Sequence, residues 1–312
     1  MFAALTEPLD RLAIRMACTS VPREAQPCRN LDLLRAFIER ADFFPKEAVR
    51  PQDLQFTSDK AFTFSSPIPS LWPINNVVHG KFFRADEQWR DCPTTILIHG
   101  WNSETAYYRM FPWLARRFNA RGINALMFEL PFHGQRKPRQ NGAQNNFISN
   151  EAIQTLEATR QAVAEIRAVL AWLKSESSRP AGLWGVSLGA WLSGLALCMD
   201  AHFDFGVLLT PVVRMDRVVA ELEFCAPLKT NLEGTRVSFE PFNLYSLQPR
   251  IPPERLLFIA SQFDLFAPPE TIEECWRAWN EPEIWWVRHG HISVLLSVPV
   301  LLRSVRWVAQ KM

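Results

Sequence analysis

Residues 181–190 read Ala181-Gly182-Leu183-Trp184-Gly185-Val186-Ser187-Leu188-Gly189-Ala190 and run on as WLSGLALCM to residue 199. AGLWGV has the short, apolar character of a buried strand, and LGAWLSGLALCM has the length and composition of a buried helix. Between them Gly185-Val186-Ser187-Leu188-Gly189 is a G-x-S-x-G sequence. A serine in that place sits on a tight turn that lifts its hydroxyl clear of the backbone, and the flanking glycines remove side chains that would clash there. Composition alone yields such a sequence in about 3% of chains this length and this poor in glycine, and the strand–turn–helix context is more selective still. The bland alternative is a glycine-rich turn packed against a neighbour, with Ser187 merely small. The uncharged run 182–199 is about long enough to span a bilayer, but its glycines and serines argue for a buried strand turning into a buried helix.

Outward from this turn, strands and helices alternate. TTILIHG (94–100), INALMFELP (123–131), FGVLLTPVV (205–213), RLLFIAS (255–261) and EIWWVRH (283–289) read as strands. AYYRMFPWLARRFNARG (106–122, with a stop at Gly122), EAIQTLEATRQAVAEIRAVLAWLK (151–174, apolar on one face), PPETIEECWRAW (268–279) and ISVLLSVPVLLRSVRWVAQ (292–310) read as helices. This order predicts an α/β fold: a mostly parallel twisted sheet with helices on both faces. Right-handed crossovers would gather the loops at the strand ends along one edge. Residues 1–90 read as an N-terminal extension. It comprises helices around LDRLAIRMA and NLDLLRAFIERADFF, the second capped by Asn30, then short strands and loops rich in Pro, Phe and Trp. The catalytic domain is expected over 91–312, with a cap insertion at 214–252 where the rhythm breaks.

A serine nucleophile needs a base, a group to orient the base, and donors for the oxyanion. His289 and His291 follow the last strand, and His291, directly before the closing helix, is the first choice as base, with His289 as the fallback. Asp264 follows RLLFIAS and gives the chain order Ser, Asp, His; a local helix-capping role is its bland alternative, and Asp216 is the rival orienter. The Leu188 N–H, at the positive end of the helix beginning there, and the Trp101 N–H, beside Gly100, are the expected oxyanion donors. His99 reads as a loop-ordering histidine rather than a second base. His289 and His291 form a His-x-His pair, but no third ligand of suitable spacing accompanies it, so no metal is expected. The chemistry calls for no cofactor.

These pieces resemble the α/β-hydrolase superfamily from about residue 94 to the C-terminus, in motif content and in order. The resemblance implies Ser187 as nucleophile, His291 as base, Asp264 as acid, and the Trp101 and Leu188 amides as oxyanion hole. A narrower likeness lies in PFHGQRKP (131–138), which is similar to the segment after the same strand in the abhydrolase group numbered eighteen. The implied activity is hydrolysis of a carboxylic ester through an acyl-enzyme. A thioesterase or amidase would use the same parts.

The remaining features bound the reading. A hydrophobic fraction of 48% supports a large core, and a net charge of +2 offers no overall field for nucleic acid. The 12 Trp and 22 Phe read first as core packing and second as an apolar substrate surface. Six scattered cysteines (Cys18, Cys28, Cys92, Cys198, Cys225, Cys275) suggest neither a zinc site nor a disulfide framework. Glu7, Asp10 and Arg11 interrupt what a signal peptide would need as an apolar stretch, so the expected address is the cytoplasm. Leu222, Phe224, Phe239, Phe242, Leu244 and Tyr245 are candidate cap residues over an acyl pocket, with ordinary packing the equal alternative. Arg136, Lys137 and Arg139 read as a solvated basic loop before they read as an anion site. The partner is a small acyl substrate; a non-catalytic binding protein on the same fold and a membrane-associated lipid hydrolase are the competing classes.

Overall fold

In the computed structural model of the chain, the described residues are 2–21, 31–40, 42–138, 146–235 and 237–312. The apolar runs become strands where expected: β4 (Thr94–Ile98), β5 (Asn124–Phe128), β6 (Ala181–Val186), β7 (Gly206–Leu209), β8 (Leu256–Ser261) and β9 (Glu283–Val287). Three earlier strands, β1 (Gln55–Phe56), β2 (Ala61–Ser65) and β3 (Val77–Phe83), join them in one nine-stranded sheet. Its order is β1-β2-β3-β5-β4-β6-β7-β8-β9. The six later strands are all parallel, whereas β1, β2 and β3 are antiparallel and β3 enters against β5 with Gly80 opposite Phe128. Part of the stretch expected as an extension is thus hydrogen-bonded into the main sheet.

Successive residues of a strand face opposite ways, so a sheet buried on both sides builds two cores. Ile96, Ile98, Leu126 and Phe258 face the layer of α4 (Ala152–Glu176), α5 (Leu188–Met199) and α8 (Pro269–Ala278). Leu97, Met127, Trp184 and Ile259 face α3 (Phe111–Asn119) and α9 (Val298–Lys311). The helical segments α1 (Phe2–Ser20), α2 (Leu31–Ile38), α6 (Met215–Glu221) and α7 (Ala226–Leu232) complete the helices, with α6 and α7 between β7 and β8, in the segment expected as a cap insertion. Asn30, expected to cap the second helix, lies outside the described residues. No helix among the described residues is long and apolar enough to cross a membrane.

Two expected helices are interrupted, each at a proline. The closing helix splits at Ser297 (ψ 86°) into a short 3-10 turn (Ser293–Leu296) and α9, because Pro299 has no N–H for the Leu295 carbonyl and its ring would clash with it in a continuous helix. Ahead of α3, residues Ala106–Met110 form a wide π turn that ends where Pro112 begins the regular helix. α4 is also buried more completely than a one-faced helix would be, with Gln161, Glu165 and Arg167 among its covered residues.

That burial corrects the reading of the basic loop. Arg136 is fully buried, and its guanidinium meets Glu165 through two parallel bonds of 2.6 and 2.8 Å. It also donates to the carbonyls of Glu129 and Asn75. A carboxylate in the middle of α4 would be costly without a cation, and the planar fork of arginine fits it. Lys137 is exposed, and Arg139 lies outside the described residues. Removing one member of such a pair strands the other, so Arg136→Met should lose about 3–5 kcal/mol of stability. Adding Glu165→Leu should recover most of that loss in chemical denaturation. A single variant as stable as the wild type would show that the pair does not matter.

Candidate active site

The sheet order changes direction around β4: the chain leaves it for β5 on one side and returns to β6 on the other. The loops at the ends of β4 and β6 therefore diverge and leave a crevice between them. Ser187 stands there, at φ 55° and ψ −121°, as the residue on which α5 begins. A Cβ at Gly185 would come within 2.5 Å of the Gly189 carbonyl and of Ser193 Oγ. One at Gly189 would strike the carbonyls of Ile98 and His99. Both motif glycines are thus required by close backbone approach: the first lets α5 lie against β6, the second lets it press on the end of β4.

The structure brings Ser187, His291 and Asp264 together. His291 Nε2 lies 2.7 Å from Ser187 Oγ, and its Nδ1 lies 2.8 and 3.0 Å from the two oxygens of Asp264. A carboxylate can only accept, so Nδ1 carries the proton and Nε2 is free to accept from the serine hydroxyl. Burial opposes protonation of this imidazole, but the Asp264 charge and hydrogen bond, with the charge of Asp10 behind them, outweigh it and raise its pKa above the usual value. Asp264 also accepts from the N–H groups of Phe266 and Ala267, each at 2.8 Å, so the local turn and the contact to His291 are both present. Phe266 stacks on the imidazole at 4.6 Å.

The rival residues lie elsewhere. His289 is turned toward Ser293, with Nδ1 3.4 Å from its hydroxyl. Asp216 is held in a two-bond ion pair by Arg214. Beside the serine, the loop after β4 runs close enough that a Cβ at Gly100 would sit 3.3 Å from Ser187 Cβ. Neither the Leu188 nor the Trp101 N–H has an acceptor among the described residues. Such an arrangement can deprotonate a serine and receive a developing negative charge.

His99 and His133 hold that loop. His99 donates from Nδ1 to the Gly100 carbonyl (2.7 Å) and accepts the Leu130 N–H at Nε2 (3.0 Å). His133 donates to the Pro131 carbonyl (2.8 Å) and accepts the Asn102 N–H (3.1 Å). The two rings meet edge to face at 4.8 Å and stitch the loop after β4 to the loop after β5. His99 is the loop-ordering histidine expected of it; the part played by His133 was not read from the sequence, although it stands in the conspicuous PFHG run.

Behind Ser187 opens a cavity of about 510 Å³, well within the range of small-molecule sites. Its walls are mostly apolar. They include α1 (Met16, Ala17), the start of α4 (Leu156) and the 214–252 segment (Val218, Phe224, Phe239), with Trp101, Trp191 and Phe266 nearer the serine. Of the expected cap residues, Leu222, Phe224, Phe239 and Phe242 line it. Leu244 and Tyr245 do not: Leu244 packs into the space left by Gly194, and Tyr245 lies under the Arg214 guanidinium at 4.6 Å.

The profile of the Alpha/beta hydrolase family matches residues 95–307. Uncharacterized proteins from two strains of Mycobacterium tuberculosis are 26% identical over 216 residues, a match covering 67% of this chain and 52% of theirs. The chain thus spans about half the length of those curated relatives. Among solved structures, the acetyl xylan esterase from Paenibacillus sp. R4 superposes with a TM-score of 0.60 at 14% identity, over 94% of this chain and 98% of that one. The Pyrococcus furiosus esterase Pf2001 superposes at 0.54 with 17% identity, over 93% and 98%. These likenesses establish the fold. The narrower likeness of residues 131–138 to the abhydrolase group numbered eighteen gains no support from them; in this structure that run supplies His133 and Arg136 to the buried polar framework.

Burial holds the pKa of His99 at about 3 and that of His133 at about 4, against 6.5 in an unfolded chain. Between pH 6.5 and about 4 the unfolded chain therefore takes up protons that the folded rings refuse. Each histidine then removes about 1.4 kcal/mol of stability per pH unit, and above that window the penalty vanishes. His133→Phe keeps a ring that cannot titrate, so it should remove one histidine's share of this slope. At pH near 8 it should cost about 1–3 kcal/mol for the Asn102 amide left unpaired. Denaturation midpoints across the pH range measure both, and an unchanged slope would place a charged His133 in the folded protein.

Proposed function

The chain belongs to the alpha/beta hydrolase family, and from that membership we propose that it hydrolyses carboxylic esters of apolar acids, with Ser187 as nucleophile, His291 as base and Asp264 as orienter. The observation that carries this reading is the relay from Asp264 through His291 to Ser187, at 2.8 and 2.7 Å, opening onto an apolar cavity. As Ser187 Oγ attacks the acyl carbon, His291 Nε2 takes its proton. The carbonyl oxygen becomes an oxyanion that accepts from the Leu188 and Trp101 N–H groups, while Asp264 stabilises the imidazolium. His291 then protonates the leaving alkoxide, and an acyl-serine remains. Water, deprotonated by the same imidazole, attacks that ester and releases the acid. The acyl chain would lie among the apolar side chains of α1 and the insertion. The names of the two structural neighbours, both esterases, agree with this choice of bond.

Ser187→Ala should lower kcat by roughly 10⁴–10⁶ with the fold intact, and a variant retaining a tenth of the activity would sink the reading. His291→Ala should match it while His289→Ala keeps much of the activity. Asp264→Asn should cost about 10⁴ because the amide favours the wrong tautomer, whereas Asp216→Asn should cost little; the reverse pattern would reassign the orienter. Since only the neutral imidazole acts as base, activity should rise with pH through a limb lying above the ordinary histidine value.

The substrate class has its own test. Each buried methylene contributes about 0.8 kcal/mol, so kcat/KM on p-nitrophenyl esters should climb about fourfold per added carbon until the cavity is full. A preference for acetate over every longer chain would refute the apolar acyl pocket. Thioesters and anilides of the best acid, run in parallel, separate ester cleavage from its two chemical neighbours.

A further inference from the structure

Helix α1 carries a carboxylate into the site from the opposite end of the chain. Asp10 is completely buried, and its oxygens accept three backbone N–H groups: His291 at 2.8 Å, Ile292 at 2.9 Å and Leu265 at 3.2 Å. Leu265 directly follows Asp264. One side chain therefore ties the loop after β8, which bears Asp264, to the backbone of His291 in the loop after β9. Gly290 makes the approach possible, since a Cβ there would lie 2.8 Å from Asp10 Oδ2.

Seating the helix does not require this charge. Ala17 and, just past the helix end, Val21 already pack this segment against Val218, Phe224 and Cys225. A buried carboxylate is a costly way to anchor a helix that apolar contacts can hold, so its placement needs another reason. The reason lies in what it touches. All three bonds leave it as acceptor, as an ionised carboxylate requires, and they end on the residue proposed as base and on the neighbour of the residue proposed to orient it.

We propose that Asp10 is a positioning residue of the reaction: it holds the His291 and Asp264 loops in register and stabilises the imidazolium that forms on His291. This rests on His291 being the base. The charged groups acting on His291 are Asp264, from the loop after β8, and Asp10, from α1; both favour the protonated ring. Burial pushes the pKa of Asp10 itself up, and its bonds to Ile292 and His291 pull it back. Removing the Asp10 charge makes imidazolium formation harder, and each unit taken from the His291 pKa corresponds to about a tenfold loss of that stabilisation.

The test compares wild type, Asp10→Asn and Gly290→Ala. Asp10→Asn keeps the size of the side chain and removes the charge; Gly290→Ala keeps the charge and pushes the carboxylate away from the loop. NMR titration of the His291 ring should show a lower pKa in both variants, by about half a unit to one unit for Asp10→Asn. The acidic limb of kcat/KM should move to lower pH by the same amount, and kcat on a p-nitrophenyl ester should fall about three- to tenfold with KM little changed. A merely structural role would lower the melting temperature and leave the titration and the limb where they were. If folded Asp10→Asn titrates as wild type, the proposal is wrong. If Asp10→Asn does not fold, unchanged titration and unchanged kcat in Gly290→Ala overturn it equally. Should wild type hydrolyse no ester while the variants still shift the His291 titration, the assignment of the reaction falls and the coupling of Asp10 to His291 stands.

Discussion

A serine at φ 55° and ψ −121° occupies backbone space that a residue with a Cβ adopts only where its surroundings over-determine it, at about 1–3 kcal/mol. Three sets of contacts do so here. The Ser187 N–H donates to the Leu209 carbonyl at 2.9 Å and so extends the β6–β7 ladder by one bond. Its own carbonyl accepts the N–H groups of Ala190 and Trp191, which starts α5. Gly185 and Gly189 then let the helix lie against two strands at once. These contacts coincide only when β4, β6 and β7 are parallel and in the observed register, so the sheet order comes before the chemistry. The strain is what holds the hydroxyl out over the crevice, and α5 aims its unpaired first N–H at the same place.

Buried loops around such a turn must find partners for their amides. This fold meets that need with side chains that could also titrate, and the environment decides which of them do. His99, His133 and His291 are all buried. Burial takes the first two down, to about 3 and about 4, and they serve as neutral hydrogen-bonding links. His291 is shifted the other way because Asp264 and Asp10 face it. Thus one residue type does two jobs in adjoining loops. The carboxylates, more than the degree of burial, set the difference.

The strands and helices from residue 94 onward were legible because buried parallel strands leave apolar runs and the glycine spacing of the elbow follows from backbone contact. Ser187, Asp264 and His291 could be picked by chain order at the strand ends, and the structure places all three within hydrogen-bonding distance. What was not legible depended on distant partners. Arg136 reads as one of three neighbouring basic residues, and nothing local announces that Glu165, 29 residues on, will bury it. The broken rhythm at 214–252 marks a segment between β7 and β8, but Leu244 and Phe242 look alike in sequence, and only the packing of α5 separates wall from underlayer. Asp10 left a faint sign: with Thr6 and Ala17 it falls on the covered stripe of α1, where a charged residue is out of place. Nothing in its own neighbourhood of the sequence connects it to loops more than 250 residues on.

The cavity beside Ser187 draws on two parts of the chain. Ser187, Asp264 and His291 stand on turns at the ends of β6, β8 and β9, whose positions are fixed by the sheet. The cavity walls come partly from those same turns, the turn after β4 and α5 (Phe266, Ile292, Trp101, Trp191) and partly from α1, the start of α4 and the 214–252 segment, none of which contributes a strand. Side chains such as Ala17 and Phe239 can change size and reshape the cavity without disturbing the 2.7 Å contact between His291 and Ser187. Asp10 is the exception, because it joins the two systems on a single helix. Under the proposed function, a shift of α1 to admit a larger acyl group would move the carboxylate bonded to the His291 backbone with it, and would couple the reach of the pocket to the strength of the proposed base.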